Sequence, residues 1–305
     1  MATDRLVLGF DIGGTQVRAA LGKRNQIVAQ RAATWPRDRS PADEVEFVAE
    51  LAFELHRQHT PDEPIQAAGV ALAALVDRSG RVVHWPNKPG WRDLPFRSLL
   101  AERLGVPTVV EDDANTAALA EYTHGAGRGY RQVLVLMAGT GIGAGLILDG
   151  HLFRGRHGWA GELGHVVMQP DGPECTCGHR GCLQSLASGR ALERIAAAQG
   201  LADVPALIAS ANNGELPART AIITCGRWIG LATANLVNLL DLEAIVIGGG
   251  LLGLGDLWWS AIEQTLHANM LNGAYASVAL HRAALPDSAG LLGALTLATQ
   301  RIESG

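Results

Sequence analysis

The 305 residues exceed what one core of about 150 residues serves, which predicts two domains and with them a cleft. Hydrophobic side chains make up 48% and charged ones 18%, the profile of an ordinary globular protein and not of a fibrous or disordered one. A formal charge of -5, from 25 basic and 30 acidic residues with no basic cluster, excludes an extended nucleic-acid or anionic-membrane surface.

The opening MATDRLVLGFDIGG carries Asp4 and meets a glycine turn before a signal peptide's apolar core could form, so a cytoplasmic protein is expected. Leu6 to Phe10 reads as a strand running into DIGGT, followed by two more strands, QVRAALG and QIVAQRA. From Asp43 to His59 the apolar residues Val45, Val48, Leu51, Ala52 and Leu55 share one face of a helix, and a strand follows at Ile65 to Leu72. Phe96 to Leu104 suits a helix and Pro107 to Val110 a short strand. Ala114 to Tyr122 suits a helix opened by an acidic turn at Glu111, Asp112 and Asp113.

The layout then restarts: Gln132 to Met137 is a strand entering GTGIGAG, with Ala144 to Leu148 as its hairpin partner. Helices are expected near Gly189 to Ala198 and Ala218 to Leu240, then a strand at Ala244 to Ile247 feeding the turn Gly248-Gly249-Gly250, and closing helices at Leu257 to Met270 and Gly290 to Gln300. The apolar stretch Ile229 to Leu254 is broken by Asn235, Asn238, Asp241 and Glu243, so it cannot serve as a membrane span. Strand, glycine turn, strand, then alternating helices and strands, all of it twice over, points to two related α/β lobes.

The turns Asp11-Ile12-Gly13-Gly14-Thr15 and Gly139-Thr140-Gly141-Ile142-Gly143 suit a polyphosphate. Successive N–H groups face outward, and missing side chains let phosphate approach the backbone. Thr15 and Thr140 add hydroxyl donors, and Asp11 is placed to hold a phosphate-bound Mg2+ through water. The alternative for any one turn is a hairpin glycine chosen only for positive φ. None of them is a GxxxxGK[ST] loop.

The run from Glu162 to Gln184 sets Glu-x-x-His ahead of three clustered cysteines. Cys175, Cys177, Cys182 and His165 would complete a tetrahedral zinc shell, and such a metal would pin a loop that lacks a hydrophobic anchor. The remaining cysteine, Cys225, lies in a helical pattern and reads as a small buried apolar residue.

Together these motifs resemble the ROK family of bacterial sugar kinases and sugar-responsive repressors. DIGGT, GTGIGAG, Glu162-Leu163-Gly164-His165, the Cys175-to-Cys182 run and Gly248-Gly249-Gly250 stand in the family's order over nearly the whole chain. The resemblance implies an actin-like (ribonuclease-H-like) α/β ATPase fold of two lobes, with ATP between them and sugar deep in the cleft. The lobes are expected at 1–118 and 119–289, the second with the zinc loop, while a C-terminal helix at about 290–305 is a candidate to pack back on the first. Implied too are ATP and Mg2+ in catalysis, structural Zn2+, a homodimer, and phosphorylation of a hexose at its 6-hydroxyl.

By the same resemblance Asp113 takes the general-base role, the alternative being that Asp112 or Asp113 merely caps the following helix. Asn87, Asp112, Glu162, His165 and Gln184 correspond to sugar contacts, with Trp91 either stacking on the sugar or packing in its loop. The phosphate-binding set would be Asp11, Gly13, Gly14, Thr15, Gly139, Thr140, Gly141, Gly143, Gly248, Gly249 and Gly250.

Two residues depart from the family's pattern: Asp112 stands where Asn is usual and Gln184 where Glu is usual. The exchange moves a negative charge across the sugar ring, which would favour an amine at C3 as in a kanosamine-type 3-amino-3-deoxyhexose. Glucose or an N-acetylhexosamine is the alternative substrate, and polyphosphate an alternative donor. The rivals from other classes are a sugar sensor without turnover, a DNA-binding repressor, for which the ten residues before Asp11 leave no room, and a thiol redox protein, whose CxC spacing would be unusual.

Overall fold

The computed structural model describes residues 4–24, 26–271 and 278–303. Two compact units arise from the chain. The first takes Met1–His124, Arg154–Ala160 and Asp287–Gly305, and the second Gly125–Phe153 and Gly161–Pro286. The first unit thus keeps the helix Asp113–His124 whole, where a boundary at 118 would cut it.

In the first unit β1 (Leu6–Ile12), β2 (Gln16–Lys23) and β3 (Gln26–Thr34) form an antiparallel meander. α1 (Pro41–His59) leads to β4 (Ile65–Leu72), the two-stranded ribbon β5 (Leu75–Val76) and β6 (Val82–His84), α2 (Phe96–Leu104), β7 (Thr108–Asp112) and α3 (Asp113–His124). The main sheet has the order β3-β2-β1-β4-β7, with β4 parallel to β1 and β7. Strand alternation divides β1 between two cores. Leu6, Leu8, Phe10 and Ile12 join the side chains of α1 and α2, while Val7 turns to the opposite face. α1 starts where it does because Ser40 and Asp43 form a reciprocal capping box with Pro41 in the first turn.

The second unit repeats the order. β8 (Val133–Ala138), β9 (Ile142–Leu148) and the short β10 (His151–Leu152) make its hairpin side. α4 (Leu183–Ala187), α5 (Gly189–Ala198), α6 (Val204–Asn212) and α7 (Leu216–Leu240) precede β11 (Ala244–Gly248), α8 (Asp256–Asn269) and β12 (Ala279–Arg282). The sheet reads β10-β9-β8-β11-β12, with β11 parallel to both neighbours. α7 and α8 approach closely along Gly226 and Gly230, where a β-carbon would come within 2.6 and 2.5 Å of α8 carbonyl oxygens.

The last helix, α9 (Ala289–Glu303), returns to the first unit and packs on β1 and β4 through Leu291, Leu295 and Ala298. Gly69 of β4 permits this: a β-carbon there would sit 1.9 Å from the Ala294 carbonyl oxygen. Among the described residues no helix is long and apolar enough to cross a membrane.

Candidate functional site

The first unit carries its candidate residues where β1 turns into β2 and where β7 meets α3. Gly13 N–H donates to the Gln16 carbonyl at 2.9 Å, and Trp35 Nε1 donates to the Gly13 carbonyl at 2.8 Å, so the turn is held from both ends. Neither Gly13 nor Gly14 has positive φ, which removes the hairpin-conformation reason for glycine at both. A β-carbon on Gly14 would lie 2.6 Å from Asn87 Nδ2, so Asn87 packs directly on the turn.

Asn87 is fixed by its neighbours. Lys88 forms an ion pair with buried Glu44 and lies 3.8 Å over the Trp35 ring, and Trp91 Nε1 donates to the other Glu44 oxygen. Trp91 is 1% exposed and meets Trp85 edge-on at 4.9 Å. It is therefore core, and stacking on a sugar is ruled out in favour of loop packing.

Asp11 pairs with Arg18, its cross-strand partner on β2. The same carboxylate lies against the first turn of α9, for a β-carbon on Gly290 would be 2.5 Å from Oδ2. A helix N-terminus is a favourable neighbour for a carboxylate.

At β7 the expected acidic turn is absent. The strand runs through Glu111 and Asp112, and α3 begins at the next residue, Asp113. The strand can end so abruptly because Asp112 caps the helix: one oxygen accepts the Asn115 N–H at 2.8 Å, and the other accepts the Asn115 side-chain amide. Asn115 is wholly buried and donates also to Glu111, which is itself paired with Arg154. Asp113, one residue on, is exposed in the first turn.

The second unit gathers its candidate residues at the β8–β9 turn. Gly139 N–H donates to the Gly141 carbonyl at 2.9 Å, mirroring Gly13. The α5 N-terminus closes on this turn, with Gly189 N–H on the Gly139 carbonyl at 2.8 Å and Arg190 N–H on that of Thr140 at 3.3 Å. Gly249, at φ +92°, would bring a β-carbon within 2.3 Å of the Ala138 carbonyl, so the third glycine turn backs onto the second. Gly139 has neither positive φ nor any atom within 4 Å of a β-carbon built on it. No internal constraint requires glycine there. Gly141 is exposed, Gly143 half-buried and Gly250 exposed.

Beside this turn Gly164 lies on β9, its would-be β-carbon 2.1 Å from the Ile142 carbonyl, which fixes the Glu162–His165 segment. His165 Nδ1 faces Cys175 Sγ at 3.7 Å, while Nε2 faces Glu162 Oε2 at 3.9 Å. Partial burial pushes the Glu162 carboxyl above its ordinary range, with His165 opposing.

One ligand atom from each of His165, Cys175, Cys177 and Cys182 lies within 4.8 Å of all the others. A tetrahedral zinc with Zn–S near 2.3 Å sets its sulfurs about 3.8 Å apart, and Cys177 and Cys182 Sγ are 3.7 Å apart. The donor set and spacing fit zinc. Burial pushes the Cys175 thiol up, but donors from Cys177, Gln184 and His165 outweigh it and bring it down to about 6. Cys182 is pushed up to about 12 by burial and by the other two cysteines, and Cys225, buried in α7, to about 12 by burial. Gln184 Nε2 donates to Cys175 Sγ at 3.2 Å, so this amide faces the cysteine loop.

Asn115, Trp35, Glu44 and the α5 N-terminus were not singled out from the sequence. Only the last left a local signal, the N-cap Ser188, which accepts from Ala191 N–H. The others act across sequence separations or inside an otherwise unremarkable helix.

Comparison with known proteins extends the pattern. The model of the ROK family matches residues 7–301. A glucokinase of Streptomyces coelicolor is 34% identical, over 97% of this chain and 98% of that protein. Among solved structures, a ROK hexokinase from Thermus thermophilus matches with a TM-score of 0.90 at 34% identity, covering 98% of this chain and all of that one. A Streptomyces griseus ROK-family glucokinase, solved with glucose and AMPPNP, matches at 0.78 and 32% identity over 97% and 99% of the two chains. The two repeated sheets therefore belong to an actin-like ATPase fold.

Proposed function

The chain belongs to the ROK family, and within it we propose an ATP-dependent hexose kinase that phosphorylates the 6-hydroxyl of a neutral hexose. The observation that carries this reading is Gly139, a glycine that neither backbone conformation nor packing calls for, at the same hairpin position as the Asp11–Thr15 turn of the other unit. The glucokinase relatives support sugar phosphorylation, and the AMPPNP complex of one supports ATP as donor.

Asp113 is the base. Its carboxylate takes the 6-hydroxyl proton as that oxygen forms a bond to the γ-phosphorus, the β–γ bridging P–O bond breaks, and ADP departs with the electron pair. Exposure at the head of α3 leaves Asp113 accessible to a substrate hydroxyl. Gly13, Gly14, Thr15, Gly139, Thr140, Gly141, Gly143, Gly248, Gly249 and Gly250 offer backbone and hydroxyl donors to the phosphates. A phosphate-bound Mg2+ would supply charge neutralisation; Arg18 occupies Asp11 Oδ2, and Oδ1 would hold the ion through water. Asn87, Glu162 and His165 orient sugar hydroxyls, and a zinc on Cys175, Cys177, Cys182 and His165 leaves His165 Nε2 for that contact.

The kanosamine-type reading requires Asp112 to meet an amine. Both Asp112 oxygens serve Asn115, and Gln184 serves Cys175, so the geometry weighs towards a plain hexose. An N-acetylmannosamine kinase of Salmonella arizonae is also 33% identical, over 95% of this chain. ADP release should therefore be measured over glucose, N-acetylmannosamine, glucosamine and kanosamine, with ATP or polyphosphate. Glucose with ATP is expected to give the highest kcat/KM, and Asp113→Asn to lower kcat by about 10²–10⁴-fold. Saturable sugar binding with no ADP from any of the four sugars would refute the kinase reading and leave a sugar sensor.

A further inference from the structure

Three carboxylates follow one another where β7 gives way to α3, Glu111, Asp112 and Asp113, and the first two converge on one amide. Asn115 Nδ2 donates to Glu111 Oε1 at 3.1 Å and to Asp112 Oδ2, which uses both of its hydrogens. The oxygen of that amide is buried and, among the described residues, accepts no hydrogen bond. Turning the amide over would set its oxygen against two anions, so the nitrogen must face them.

Glu111 is the deeper of the two. Its side chain is 5% exposed, and the Asp112 N–H also reaches Oε1, at 3.3 Å. Two anions held by one neutral amide repel each other across it, and burial strengthens the repulsion. The second Glu111 oxygen, Oε2, accepts from Arg154 Nε, a residue 43 positions further along the chain. Arg154 begins the segment Arg154–Ala160 of the first unit, and its carbonyl accepts the Ala160 N–H at 3.2 Å, so the cation is presented from a closed loop.

We propose that Arg154 is a positioning residue: its guanidinium offsets the Glu111 charge, lets Glu111 and Asp112 share the Asn115 amide, and so holds the head of α3 with Asp113 on it. The offset matters in this chain because Asp112 stands where the family usually has a neutral Asn, so two anions and not one bear on Asn115. The task of Asp113 rests on the kinase reading; the hold on α3 does not.

Hydrogen exchange at residues 113–117 is compared among the wild type, Arg154→Met and Arg154→Lys, with residues 119–124 of the same helix as reference. Methionine removes the charge, and lysine restores it without the planar fork. Exchange of the Asn115 N–H is expected to quicken in Arg154→Met and to stay near wild type in Arg154→Lys. In steady-state kinetics on the sugar that the wild type turns over best, Arg154→Met is expected to lower kcat by about 10–100-fold through a displaced Asp113, with little change in KM. The double variant Glu111→Gln/Arg154→Met removes the buried charge together with its counter-charge, and it is expected to regain much of the lost kcat and Asn115 protection. It also serves where the single variant does not fold. A double variant as impaired as Arg154→Met overturns the charge role, and so does a rise in KM at unchanged kcat, which would make Arg154 a sugar contact. Wild-type kcat and exchange in Arg154→Met overturn the proposal entirely. A wild type that turns over no sugar ends the kinase reading and the task of Asp113 with it, and the exchange measurement then decides the hold on α3 by itself.

Discussion

The two units repeat one sheet layout but hold their functional loops by different means. In the first, the Asn87 loop is fastened by buried side chains: Trp85 and Trp91 are each 1% exposed, and Glu44 joins Lys88 and Trp91 beneath them. In the second, the stretch from Val166 to Cys182 buries no large apolar side chain, and its buried residues are Gly172, Cys175, Gly181 and Cys182. It is closed by backbone bonds such as Met168 to Gly181 at 2.8 Å and Cys175 to His179 at 2.8 Å, and it carries the cluster of four candidate metal ligands. One layout thus tolerates two kinds of loop, one fastened by apolar packing with a buried ion pair, the other closed by backbone bonds around a cluster of candidate metal ligands.

Metal removal is the strongest way to break the comparison. Structural zinc sites carry apparent binding free energies of about 10–16 kcal/mol, far more than the few hydrogen bonds left in the loop could replace. Chelation, or Cys182→Ala, should release residues 166–183 to rapid hydrogen exchange while residues 85–91 keep their protection. Equal deprotection of both loops would mean that the first depends on the second and that the two fastenings are not independent.

The converse experiment strikes packing. Gly69→Ala drives a β-carbon to within 1.9 Å of the Ala294 carbonyl, a backbone atom that cannot yield without moving α9. Overpacking of this kind costs about 3 kcal/mol or more, equivalent to a fall in Tm of roughly 10 °C. Zinc content should stay at the wild-type value, since no member of the candidate ligand cluster lies in that unit.

How much of this was legible from sequence depends on the range of the forces involved. The strand Ile65–Leu72 and the helix Phe96–Leu104 fall where periodicity sets them, because local pattern and packing agree there. The cysteine spacing carried the metal cluster for the same reason. α6 is hard to see in the sequence although Asp203 caps it and Pro205 sits in its first turn, because it buries only Leu207 and Ala211, too sparse a stripe to stand out. The Glu44–Lys88–Trp91 fastening joins residues more than forty positions apart, and nothing in the run PNKPGW announces a partner on α1. The acidic turn failed because a carboxylate that caps a helix looks, in sequence, like one that turns a loop.

A milder change probes the first fastening. Glu44→Gln keeps an acceptor for Trp91 but leaves Lys88, only 11% exposed at its side chain, without its counter-charge. Breaking a buried pair one partner at a time is costly, here about 2 kcal/mol after allowing for the retained acceptor and the remaining exposure. Because Asn87 rides on this loop, KM for the sugar is expected to rise more than kcat falls. An unchanged KM in steady-state kinetics would separate Asn87 from sugar binding.

The smallest expected effect is the most discriminating. Asn caps helices about as well as Asp, so Asp112→Asn retains the bond to the Asn115 N–H and gives up only the attraction of a carboxylate to the α3 N-terminus, under about 1 kcal/mol. If capping is what Asp112 does, Tm moves by a few degrees and the order of preference among glucose, glucosamine and kanosamine stays as it was. Were Asp112 instead the partner of a C3 amine, losing a charge-assisted bond worth about 1.5–3 kcal/mol would cut kcat/KM for kanosamine by about 10-fold or more while sparing glucose. The neutral variant, nearly isosteric with the native residue, therefore separates a structural carboxylate from a recognising one where a larger substitution would disturb both.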